Sequence, residues 1–106
     1  KGKQELRLTP AMKWETEKIL ANIHHLAGLN SFSLPRQYYL LQFPKPVLMP
    51  PFSPVNHPIE QMIIALPKER YSPYRLLIQN QHQQWMEYQT TRSLQILVHQ
   101  IQAWNP

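Results

Sequence analysis

The chain has 106 residues, 42% of them hydrophobic, a formal charge of +5, and neither Cys nor Asp. That length predicts one domain built around one hydrophobic core. The missing Cys excludes disulfides, thiolate metal sites and cysteine nucleophiles, and no apolar run approaches the ~20 residues of a membrane-spanning helix.

Residues 1–9 read as a basic arm ahead of a single α+β domain over residues 10–106. Lys1, Lys3, Arg7, Lys13 and Lys18 are the densest cluster of positive charge. No secretory signal is expected, since no apolar segment follows Lys1-Gly2-Lys3. The opening without Met reads as a fragment or a processed chain, and the location expected is intracellular, cytoplasmic by preference.

From Pro10 the pattern turns helical. Met12, Thr16, Ile19, Leu20, Ile23, Leu26 and Ala27 share one face at a spacing of about 3.6 residues. Thr9 is the expected N-cap with Pro10 at the first helical position, and Gly28 followed by Asn30 is the expected stop. Residues 30–36 read as a turn region and 37–43 (QYYLLQF) as a strand rich in aromatic and aliphatic side chains.

Six prolines fall among the fifteen residues 44–58, a density that forbids a helix and a central strand. Val47, Leu48, Met49, Phe52 and Val55 make this segment too apolar for a loose linker, so a loop packed across the domain is expected. Residues 59–66 and 74–79 then read as paired strands, with Lys68, Glu69 and Arg70 at the solvated tip between them. A polar turn over 80–84 leads to a third short strand at 84–88. The closing helix is expected to start at Thr90 or Thr91 and to bury Leu94, Leu97, Val98 and Ile101, with Ala103 or Trp104 continuing the stripe. The fold class is therefore α+β: an N-terminal helix, a small antiparallel β-meander, and a C-terminal helix packed on one face.

No catalytic set emerges. A metal site needs three or four converging donors; the five His (His24, His25, His57, His82, His99) form no HxH or HxxxH pair, so neither metal nor cofactor is expected. A serine triad would have to use Glu as its acid, and two glycines leave little room for a phosphate-cradling loop. The reading is a non-enzyme.

Two binding readings remain. In the first, a non-catalytic interaction module or subunit of a larger assembly buries Met49, Phe52 and Val55 against a protein partner with an apolar or acidic surface. Lys68 and Arg70 would steer the encounter. In the alternative, a small basic nucleic-acid-binding protein uses Lys1, Lys3, Arg7 and Lys13, with aromatics such as Trp14, Tyr38, Tyr39, Tyr71, Tyr74 and Trp85 as stacking platforms.

Leu66-Pro67 with Tyr71-Ser72-Pro73, then Trp85 and a helix through Leu94, Leu97, Ile101 and Trp104, form an order that resembles the ubiquitin-conjugating enzyme superfamily. That superfamily includes non-catalytic variants and the related RWD domains, and the likeness spans most of the chain from Met12 onward. It departs at two places: there is no Cys, and Asn56-His57-Pro58 precedes a strand and is followed by Ile59 instead of forming a His-Pro-Asn tripeptide after the turn. The resemblance therefore implies a partner-binding member with no catalytic residue.

Overall fold

The computed structural model describes residues 8–27, 37–67 and 73–104, the side chain of Trp104 excepted. Helix α1 (Pro10–Ala21) starts where the sequence predicts. Thr9 Oγ1 accepts from the Met12 N–H at 3.2 Å, and the Thr9 carbonyl accepts from the Lys13 N–H at 2.9 Å. The side-chain bond satisfies one orphan donor of the first turn, and the carbonyl bond is the first of the helical ladder.

The helix stops seven residues before Gly28. Asn22 closes it: its N–H donates to the Ile19 carbonyl at 3.2 Å and its Nδ2 donates to the Lys18 carbonyl at 2.7 Å. The next four residues form strand β1 (Ile23–Leu26), which corrects the expectation of a continuous helical face. Ile23 still enters the core, at 6% exposure, so an apolar residue at this position serves either period. The ladder to the last strand decides the matter, with Ala27 N–H donating to Glu87 and Thr91 N–H to Asn22 at 2.8 and 3.1 Å. His24 and His25 thus lie exposed on a bulged strand and not on a helix, with ring centres 4.3 Å apart. Gly28 and Asn30 lie outside the described residues.

The remaining strands are β2 (Tyr38–Val47), β3 (Ile59–Ala65), β4 (Arg75–Gln79) and β5 (Trp85–Thr90), followed by helix α2 (Gln95–Trp104). All five strands pair antiparallel in the order β1-β5-β4-β3-β2. The meander of β3 to β5 and a strand at β2 match the sequence reading; the structure pairs β2 with β3 and adds β1 beyond β5. β2 runs past Phe43 through Pro44 and Pro46, with irregular register between Gln42 and Val47. It is outermost in the sheet, where a missing N–H breaks no ladder on the solvent side.

Both helices pack on one face of the sheet. Met12, Ile19 and Leu20 of α1 and Leu97, Val98 and Ile101 of α2 join Leu41, Met62, Ile64, Leu76 and Ile78 in a single buried cluster. Cross-strand register explains the set: Leu41 opposes Met62, which opposes Ile78, and Ile64 opposes Leu76. The alternate residues Ile63, Ala65 and Leu77 form a second cluster on the opposite face, with Leu40 and Trp85 packed against it. Residues 62–65 are all buried, as expected for a strand covered on both faces. The α+β class, the N-terminal helix and the C-terminal helix on one face are those read from the sequence.

α2 begins later than Thr90 or Thr91 because both threonines are used elsewhere. Thr90 is the last residue of β5 and its hydroxyl donates at 2.8 Å to the Ile19 carbonyl, the last-turn acceptor that Asn22 N–H also reaches. Thr91 Oγ1 donates to Asn22 Oδ1 at 3.3 Å, and Ser93 Oγ instead accepts from the Gln95 N–H at 3.2 Å.

The β4–β5 hairpin turns through residues 80–84. Asn80 Oδ1 accepts from the N–H groups of His82 (2.8 Å) and Gln84 (2.9 Å), and the Asn80 carbonyl accepts from Gln83 N–H at 3.0 Å. Gln83 completes the turn at φ 64°, the left-handed region that favours glycine. Replacing Gln83 by Gly therefore stabilises the protein by about 1 kcal/mol, read as a raised urea midpoint at unchanged m-value.

A candidate protein-docking loop

Between β2 and β3 the chain sends its side chains alternately inward and outward. Val47 and Met49 are half-buried against the main core and Val55 is 1% exposed within it. Leu48 is 80% exposed and Phe52 98% exposed. An extended segment with period two, pinned at 47, 49 and 55, leaves its other side chains in solvent.

The tip is a built turn. Ser53 N–H donates to the Pro50 carbonyl at 3.1 Å, which closes a four-residue β-turn with Pro51 and Phe52 at its centre. Among the described non-glycine residues only Gln83 has positive φ, so the turn is not the type II form, which needs a left-handed residue at the Phe52 position. Ser53 Oγ then accepts from Val55 N–H at 3.1 Å and draws Val55 into the core. Two prolines with restricted φ, one turn hydrogen bond and one buried side chain hold Phe52 outward before any partner arrives.

Of the apolar residues predicted to meet a partner, Phe52 is the one that stands free in solvent. Met49 is half-buried against the core. Val55 needs correction: at 1% exposure it anchors the loop and offers no surface. Leu48 is a second exposed apolar side chain that the sequence reading did not single out; its signal was the alternation with Val47 and Met49. Lys68, Arg70, Lys1, Lys3 and Arg7 lie outside the described residues, as does Tyr71. Lys13 is exposed on α1, and Lys45 is exposed between Pro44 and Pro46. Tyr39 and Tyr74 are half-buried against the main core and Trp85 against the second cluster, so all three serve packing.

Two guanidinium groups are paired. Arg75 meets Glu87 across β4 and β5 at 3.1 Å, and Arg92 forks onto Glu15 with Nε donating at 2.7 Å and Nη2 at 3.0 Å. The hydrogen bonds to Glu15 hold the Arg92 guanidinium above its ordinary pKa.

A shallow cleft of about 240 Å³ lies at the end of β3 and β4, bordered by His57, Glu60, Gln61, Gln79, Asn80 and Gln83. Its amides bond one another. Gln42 Nε2 donates to Gln61 at 3.4 Å, Gln61 Nε2 to Gln79 at 3.0 Å, and Gln79 Nε2 to the Gln83 carbonyl at 3.1 Å. No group of three or more His, Cys, Asp or Glu among the described residues is placed to hold a metal ion. Neither described helix is long and apolar enough to cross a membrane. The cleft thus presents a largely self-satisfied amide surface, and the loop carries the strongest apolar signal. Compared with protein-family models, with curated proteins and with solved structures, the chain matches none.

Proposed function

We propose that this chain is a non-catalytic protein–protein interaction module, or a subunit of a larger assembly, that docks through its proline-rich loop. The observation that carries the reading is Phe52, 98% exposed at the apex of a turn that prolines and two hydrogen bonds hold in place. An aromatic ring in solvent contributes nothing to the core, and the same ring in a partner's pocket is a typical interface anchor. Leu48 extends the apolar contact, and Lys68 and Arg70 would steer an acidic rim toward it. Partner binding without chemistry is also what the likeness to non-catalytic relatives of conjugating enzymes implies.

The test uses the purified protein immobilised in nuclease-treated extract of its source cells, beside the F52A/L48A variant. A stoichiometric protein partner is expected on the wild type. The double variant should lose it by ~30-fold or more, as for an interface hot spot, while its unfolding free energy stays within about 0.5 kcal/mol of wild type. A partner that binds both proteins equally would overturn the docking role of the loop.

A further inference from the structure

Trp14 is the second feature of the surface that packing does not explain. It lies on α1 at 54% exposure, with Lys18 Nζ 5.1 Å and Arg92 Cζ 5.3 Å from its ring centre. Arg92 is held there by its fork onto Glu15, so one of the two cations is fixed beside the indole. Lys13 is exposed on the same helix, and the sequence ahead of it holds Lys1, Lys3 and Arg7 against Glu5. Glu17 is exposed on α1 as well, yet Lys13, Lys18 and Arg92 outnumber it and Glu15.

We infer that this face of α1 binds single-stranded nucleic acid, independently of the docking loop. An aromatic ring beside cations offers two contacts that a nucleotide needs together. The indole stacks on a base, and the exposed ammonium groups of Lys13 and Lys18 reach the adjoining phosphates. A partner that offers only negative charge uses the cations and leaves the indole unused. A duplex buries its base faces in its own stack, so it would also meet the charges alone. Single strands satisfy both.

The probe is a fluorescein-labelled oligo(dT) of about 15 nucleotides, enough to cover one small binding groove. Its anisotropy is followed with the full chain over a salt series from about 50 to 200 mM. The W14A variant should bind ~10-fold more weakly, and W14F, which keeps a ring, should bind more tightly than W14A. K13Q/K18Q should lower the slope of log affinity against log salt by about 1.4, the value for two lost phosphate contacts on a single strand. F52A/L48A should bind oligo(dT) as the wild type does, which separates this surface from the loop. Thermal melting of each variant excludes unfolding as the cause of a loss. The inference is overturned if W14A binds like wild type, if duplex DNA or heparin binds as tightly as oligo(dT), or if oligo(dT) does not bind at the lowest salt.

Discussion

Replacing Arg92 by Ala lowers the melting temperature by roughly 10 °C, the largest effect expected of any change outside the hydrophobic clusters. Glu15 sits on α1 with 3% of its side chain exposed, and Arg92 sits 77 positions later, in the link between β5 and α2, with 32% exposed. The two bonds of 2.7 and 3.0 Å are the main compensation for removing that carboxylate from water. Direct attraction is a small part of the effect, since solvent reaches Arg92 and screens the pair. The weight comes from the buried carboxylate that R92A strands.

That asymmetry makes the prediction specific. E15A leaves an arginine that is already one-third exposed and can rehydrate, so it should cost clearly less than R92A. E15Q added to R92A removes the stranded charge and should restore part of the loss. R92K keeps the charge without the planar fork and should fall between wild type and R92A. Thermal melting by circular dichroism reads all four. If E15A costs as much as R92A, or R92A leaves the midpoint within about 2 °C of wild type, then Glu15 is not held by this pair.

Leu77→Ala costs about 3 kcal/mol, even though Leu77 lies on the face opposite the helices. Its exposure is 0%, and Ile63, Ala65, Leu40 and Trp85 surround it. A buried leucine truncated to alanine loses both its transfer free energy and the contacts around the cavity left behind. Ile96 on α2, at 47% exposure, supplies the control, and I96A should stay within about 0.5 kcal/mol of wild type. Urea unfolding at constant m-value measures both. A cost for L77A below about 1 kcal/mol would mean that this face relaxes around the gap and is not a close-packed layer.

Much of the fold was readable where chemistry acts over a few residues. Thr9 followed by Pro10 and an apolar pattern of helical period marks a helix start, because an oxygen cap and a preset φ act within one turn. β3 and β4 were readable from apolar runs bounded by proline and polar turns. The end of α1 was not. Ile23 and Leu26 suit a helix as well as a strand, and the choice fell to hydrogen bonds with Glu87, Tyr88 and Thr90, which lie some sixty residues away in the chain. Thr90 and Thr91 misled for the same reason: good caps in isolation, they are engaged by α1 and Asn22 once β1 is in place.

The proline-rich loop between β2 and β3 divides in the same way. Its proline density and its apolar content, Phe52 included, were visible in the order of residues. Whether Phe52 or Val55 faces solvent depends on where β2 ends, which pairing with β3 sets, and on how the turn at Pro50 closes. The Glu15–Arg92 pair was beyond reach, because two residues far apart in sequence acquire an interaction only when the sheet brings the end of β5 beneath α1. Composition, caps, turns and periodicity are local properties and belong to this chain before it folds. The extra strand, the Glu15–Arg92 pair and the outward aromatic side chains are long-range outcomes, set by which backbone groups and apolar faces meet.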